Sequence, residues 1–338
     1  MHPRCPQVVL TGQRELSSVA EARNVAHVLP ESLRQAPFRG SEAVAAGLVN
    51  VNQLRGTACR RLFHDTYISA DLPLDHRRWC QAAVLSVGPE AVVSGRSAAY
   101  LMGVDLLADD HGDDVELTVP HHSRVRTSGI TVVHATLAPA DVCQHEGIPV
   151  TSPERTAFDL ARGLPRMDAV AAVDAVLHWH LTSLARVRDY LLASGTFRGR
   201  TQVAEVLRFV DPGAESPRES ILRVTLVDGG LPRPETQISV YDANGHLIGR
   251  VDMGYREHKV GLEYEGDHHR DRRTFQGDLA RVNALQEAGW TIIRATMSDL
   301  RDPRALLAQV RRALDRSRPT GGDDDRVSRT AEHRRWAA

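Results

Sequence analysis

Short apolar runs and polar breaks alternate along this chain, and their spacing changes from segment to segment. The clearest pattern lies between 216 and 315. SPRESILRVTLVDGG predicts a helix with Ile221, Leu222 and Leu226 towards one side and Glu219 in its first turn. TQISVYDANGHLIGRVDMGY places an Asn244-Gly245 pair between two β-like runs, a strong short-range hairpin signal, so 236–242 is expected to pair with 246–255. A third strand follows over 258–265, then a helix over about 272–288, a strand over 290–296 and a last amphipathic helix over 302–314. The expected order is α-β-β-β-α-β-α.

The front of the chain is patterned more loosely. Residues 1–30 are weakly patterned and read as an extension. In ESLRQAPFRGSEAVAAGLVNVNQLRG, Ser41 is placed to cap a helix over 42–46, Gly47 to end it, and Asn50 to cap a second short helix over 51–55. CRRLFHDTYISADL then reads as a β-hairpin-like wing opening on Arg60 and Arg61, so 31–75 is expected to form a small winged helix-turn-helix-like module with Asn52, Gln53 and Arg55 exposed. Residues 76–210 read as an α+β domain with a helical second half. Helices are expected over 76–107 with a turn at Gly88-Pro89, strands at 115–120 and 129–135, and a helix at 152–162 opened by Ser152 and Pro153. Helical segments over 166–208 break near Ser183 and Gly195. DPGAESPR (211–218) reads as a linker, 219–315 as the last folded domain, and the charged tail 316–338 as disordered.

Composition narrows the function classes. The chain has 338 residues, 42% hydrophobic and 25% charged, an ordinary soluble profile with room for several domains. No apolar run is long enough for a membrane span, and charged residues interrupt the first 30 positions where a secretory signal would need a continuous apolar stretch. Four scattered cysteines with no CxxC pair fit reduced thiols and a cytoplasmic location. The net charge of −1 gives no overall basic field, and 216–316 carries sixteen Arg or Lys against fifteen Asp or Glu. Neither the whole chain nor that stretch demands nucleic acid, and neither excludes it.

The acids of that stretch are placed suggestively. Glu263 and Glu265 stand at the end of an apolar strand, two apart and so on one face, and a matching register brings Asp252 of the preceding strand to the same face. Carboxylates converging at one sheet edge repel unless a hard divalent cation neutralises them, and oxygen donors suit Mg2+ or Mn2+. Such a cation can acidify a bound water and offset charge on a phosphodiester. The bland alternative is an exposed edge whose acids pair with Arg250, Arg256 or the arginines at 270–273.

Asp252, then Glu263-Tyr264-Glu265 on adjacent strands behind a Glu219 helix, resembles the PD-(D/E)XK nuclease superfamily. EYEGDHHRDRRTFQGDLARVNALQEAGWTIIRAT is similar to its very-short-patch-repair (Vsr-like) endonuclease-related branch, catalogued mainly as a domain of unknown function. The resemblance implies a restriction-endonuclease-like fold with Asp252 and Glu263 as metal ligands and Glu219 at the rim. It implies His269 for proton transfer or phosphate contact, and Arg272, Arg273 and Arg281 against the nucleic-acid backbone. Glu265 departs from the pattern, standing where the superfamily has Lys and this branch Asp. Lys259, six residues away, is the candidate for a migrated catalytic lysine. Further forward, FRGSEAVAAGLVNVNQLRG, SGRSAAYLMGV and VTSPERTAFDLAR resemble AbiEi-type antitoxins of type IV toxin–antitoxin systems, whose winged helix binds promoter DNA and whose second domain opposes a toxin.

Two functions therefore compete. One is a Mg2+- or Mn2+-dependent DNA endonuclease acting through Asp252, Glu263, Glu265, His269 and Glu219. The other is an antitoxin-like DNA-binding regulator with an inactive nuclease-like domain, contacting DNA through Arg55, Arg60 and Arg61. DNA and a toxin protein are the expected partners, with no membrane and no small-molecule cofactor.

Overall fold

The computed structural model describes residues 29–107, 114–195, 198–266 and 272–317, the side chains of 272–279 excepted. Among the described residues the fold is mixed α/β with three sheets, and the chain divides into two compact units, Met1–Thr151 and Ser152–Ala338.

The first unit opens with β1 (Phe38–Arg39), α1 (Gly40–Ala45), α2 (Val51–Arg55), β2 (Cys59–Phe63) and β3 (Thr66–Ser69), and its small sheet runs β1-β3-β2. α2 is only five residues long and relies on its cap. Asn50 Oδ1 accepts the Gln53 N–H at 2.9 Å, and Gln53 Oε1 accepts the Asn50 N–H at 2.7 Å. Ser41 does not cap α1, which begins one residue earlier at Gly40. Its N–H and hydroxyl instead donate to Asp65 in the β2–β3 turn, at 2.8 and 2.5 Å. Leu33, Phe38, Val49 and Leu54 form the small core beneath.

A second sheet follows α3 (His76–Val87). It takes β4 (Val92–Val93), β5 (Val115–Val119), β6 (Ile130–His134), β7 (Val142–His145) and β8 (Ile148–Thr151) in the order β6-β5-β4-β8-β7, with α4 (Gly95–Leu101) after β4. The two helices expected within 76–107 are present on either side of the Gly88-Pro89 turn, and between them lies a strand of two residues, too short to show a period of its own. At Gly95 φ is +57°, and a Cβ there would lie 1.7 Å from Glu116 Oε2. Only glycine fits this entry to α4, where Glu116 takes the Arg96 N–H at 2.9 Å and its guanidinium at 2.6 Å.

The second unit starts with four helices, α5 (Pro153–Gly163), α6 (Arg166–His178), α7 (Leu184–Ala193) and α8 (Arg200–Phe209). Ser152 and Ser183 cap α5 and α7, each accepting an N–H from the third residue onward. Then come α9 (Pro217–Asp228), β9 (Glu235–Tyr241), β10 (Leu247–Tyr255), β11 (Val260–Tyr264), α10 (Arg272–Glu287), β12 (Thr291–Ala295), α11 (Met297–Arg301) and α12 (Arg304–Arg316). The sheet runs β12-β11-β10-β9, antiparallel except for the parallel β11–β12 pair that α10 connects. One core joins Leu222, Leu226, Met253, Leu262 and Val310, and another joins Ile238, Val240, Val251, Leu285 and Trp290.

The break between units falls after Thr151, not at 211–218. The segment read as a linker is packed. Asp211 N–H donates to Asp174 Oδ1 at 2.7 Å, Ala214 is buried, and Asp174 on α6 pairs with Arg223 on α9 at 2.5 Å, both side chains 1% exposed. Proline and glycine shape the bend there, while a buried ion pair ties its two sides together. Residues 1–28 and most of the tail expected to be disordered lie outside the described residues.

Candidate functional site

Of the carboxylates singled out in the sequence, Glu219, Asp252 and Glu263 come together at β10, and Glu265 turns to Arg294. Met253 pairs with Leu262 across the β10–β11 ladder, so Asp252 falls opposite Glu263 one step further along. Strict alternation fails at this point. Val251 and Met253 are two apart yet join different cores, and Gln237, opposite Asp252 on β9, has φ +51°. The Asp252 carboxylate replaces a missing ladder acceptor, taking the Tyr264 N–H at 2.8 Å.

Burial pushes the Asp252 carboxyl up to about 6. The Tyr264 N–H opposes that shift, the charges of Glu219 and Glu263 add to it, and Arg281 opposes it. Asp252 is thus close enough to both other acids to feel them.

Each of those acids already has partners. Arg281 on α10 forks onto Glu263, Nη1 to Oε1 at 2.7 Å and Nη2 to Oε2 at 3.0 Å. Gly249 makes room for this, since a Cβ there would lie 3.0 Å from Arg281 Cδ. Glu219, in the first turn of α9, accepts from the Ser216 hydroxyl at 2.8 Å, Gln237 Nε2 at 2.9 Å and the Glu215 N–H at 3.0 Å. It closes the N-terminus of its own helix and anchors β9 to it. Glu265 lies 3.6 Å from Arg294, and its N–H donates to Ala295 O at 2.8 Å. Glu263 and Glu265 are ion-paired, but by Arg281 and Arg294 and on or just past an inner strand of the sheet, where the bland expectation had an exposed edge and other arginines. Arg250 turns instead to Glu215 at 2.7 Å, and Arg256 to Glu235 at 3.2 Å.

As arranged, these donors do not fit a three-carboxylate cation site. Among the described residues no group of three or more His, Cys, Asp or Glu side chains is placed to hold a metal ion. Lys259 does not approach the acids. It sits in the turn before β11 at φ +47°, and its Nζ donates to Ala288 O at 3.0 Å, at the end of α10. His269 lies outside the described residues. The backbone of α10 carries Arg272 and Arg273, whose side chains are likewise outside them.

Gln237 escaped the sequence reading. Counting outwards from Asn244-Gly245 would have found it, because the β9–β10 pairs from Val240↔Gly249 to Glu235↔Gly254 are symmetric about that turn and put 237 across from 252.

In the first unit the three arginines expected to meet DNA are exposed. Arg55 ends α2. Arg60 donates to Leu72 O, and Arg61 Nε to Phe63 O at 3.1 Å. Leu48 and Val51, at 39% and 50% exposure, stand beside Asn50 and Asn52 at the start of α2.

Comparison with known proteins supports one of the two family resemblances. Residues 16–207 match the family described as AbiEi antitoxin C-terminal domain, more than half of the chain. The chain belongs to that family. Two uncharacterized proteins of Mycobacterium tuberculosis, from strains CDC 1551/Oshkosh and ATCC 25618/H37Rv, are each 33% identical to it over 218 residues, covering 62% of this chain and 80% of the relative. In this AbiEi-family chain the matched stretch takes in the first unit from residue 16 and α5 to α8 as far as 207. Glu219, Asp252, Glu263 and Arg281 all lie beyond it, and no comparison supports a Vsr-like nuclease domain there. No helix among the described residues is long and apolar enough to cross a membrane.

Proposed function

We propose that this chain is a DNA-binding regulator of the antitoxin type, opposing a toxin protein partner, and that its last sheet does not cut nucleic acid. The observation that carries the reading is the family match over 16–207. Within it, two short helices, a capped turn at Asn50 and a β-hairpin follow one another as in a winged helix-turn-helix. In such a module α2 is the recognition helix, with Asn52, Gln53 and Arg55 towards base edges, and Arg60 and Arg61 of the hairpin against phosphates.

The order α9-β9-β10-β11-α10-β12 with its mixed sheet supports a nuclease-like ancestry for the last domain. The Arg281–Glu263 fork supports its inactivity, because a guanidinium occupies both oxygens that a metal or an activated water would need. The competing endonuclease reading keeps one supporting observation, the placement of Asp252 opposite Glu263.

Full-length protein titrated with duplex DNA at several salt concentrations tests the proposal. Selective binding to a duplex from its own promoter region, with affinity falling steeply with salt and Arg61→Ala flattening that dependence by about one phosphate contact, is the expected result. No selective binding at low salt would reject the regulator. Plasmid nicking in Mg2+ that disappears in Asp252→Ala would establish the nuclease instead.

A further inference from the structure

The first unit contains a cavity of about 860 Å³ that the reading above does not use. His64 of the β2–β3 turn, Ser86 at the end of α3, Ser123, Arg124 and Arg126 of the β5–β6 connection, and His134 at the end of β6 line it. We propose that this cavity is a binding site for a small phosphorylated ligand of nucleotide size.

The argument rests on the chemistry of the walls. No Asp or Glu lines the cavity, and among the described residues neither Arg124 nor Arg126 has an acidic partner. Both are exposed, so two arginine charges border one opening, unpaired with any acid among the described residues. Two acids close in sequence to the lining residues His64 and Val87 are committed elsewhere. Asp65, next to His64, is bound by Ser41, which together with the Arg39 and His64 charges holds its carboxyl low against the upward pull of burial. Glu90 pairs with His122 at 3.2 Å. The last turn of α3 reaches the cavity and would oppose an anion through its carbonyls, but Arg39 Nη2 covers Leu85 O at 2.5 Å.

Phosphate fits this set better than carboxylate or sulfate esters of larger molecules. Two guanidinium forks can share the oxygens of a phosphoryl group and the Ser123 hydroxyl adds a donor, while the Ser86 hydroxyl donates to His64 O at 3.5 Å and His134 Nδ1 to Pro120 O at 3.3 Å. The volume lies within the ordinary range for small-ligand pockets, and Val87 and Val125 provide an apolar surface for a base or similar ring. The inference is independent of DNA binding by α2.

Calorimetry on the full-length protein, with ADP, pyrophosphate, inorganic phosphate and adenosine as probes, tests it. ADP and pyrophosphate are expected to bind and adenosine not to. Arg124→Ala/Arg126→Ala should weaken ADP by about tenfold or more without moving the melting temperature, while Arg188→Ala, an exposed arginine of the other unit, leaves it unchanged. No heat with either ADP or pyrophosphate up to about 10 mM would overturn the proposal. So would ADP binding that survives the double substitution. If only duplex DNA loses affinity in the double variant and ADP never binds, the arginines are backbone contacts and the pocket is not a ligand site.

Discussion

Arg281 holds both carboxylate oxygens of Glu263, at 2.7 and 3.0 Å, across from Asp252. The acid is 12% exposed and the guanidinium 28%, so the pair is shielded well enough for its geometry to matter. A strand-end acid that looks free for a metal in one dimension is therefore already neutralised in three.

Removing that neutralisation should be measurable. Arg281→Ala leaves Glu263 half-buried without its fork and is expected to lower stability by about 1–3 kcal/mol in chemical denaturation. The same variant should bind Mn2+ more tightly than the natural protein in calorimetry, and Glu263→Gln added to it should abolish the gain. Equal affinity before and after Arg281→Ala would show that the fork does not block a cation.

The Asp174–Arg223 pair should be a principal tie between α6 and α9. Asp174→Ala is expected to destabilise the second unit by about 3–5 kcal/mol, because it strands a buried guanidinium. Asp174→Leu with Arg223→Met should recover most of that loss. A single substitution with an unchanged denaturation midpoint would refute the assignment.

Stability should also depend on pH through Asp252. Its carboxyl titrates near 3.8 when unfolded and about 6 when folded, so the folded protein binds more protons between those values. Stability falls as pH rises from about 4 to about 6, and the full penalty persists above. Asp252→Asn keeps an acceptor for the Tyr264 N–H without the charge. It is expected to be more stable than the natural protein by about 1–2 kcal/mol at neutral pH and equal to it near pH 4. Melting curves across that range give the answer, and a constant difference would assign the effect to packing.

Gly95 makes a sharper local prediction. Gly95→Ala forces an L side chain into a left-handed backbone and into Glu116, so the loss should exceed about 1–2 kcal/mol and lower the melting temperature of the first unit. An unchanged melting temperature would mean that Glu116 and Arg96 move aside without loss.

Much of the second unit was legible before any coordinates. The Asn244-Gly245 turn announces its hairpin because glycine accepts a left-handed backbone without strain, and Gly245 has φ +84°. Ser152 before Pro153 and Asn50 before Gln53 mark helix starts because a cap is a contact between residues three apart. These signals are local, and local chemistry is written along the chain. β4, two residues long, and the neighbouring β7 and β8 were not legible, since strands of two to four residues carry too few alternations.

The amino-acid sequence by itself determined the order α-β-β-β-α-β-α, the capped short helices and the strands that carry Asp252 and Glu263. Only the tertiary structure decided what those acids face. Arg281 lies eighteen residues from Glu263, Arg223 forty-nine from Asp174, and Arg124 sixty from His64 across one cavity. No periodicity encodes such distances, because side-chain neutralisation is settled when separate elements pack and burial makes an unpaired charge costly.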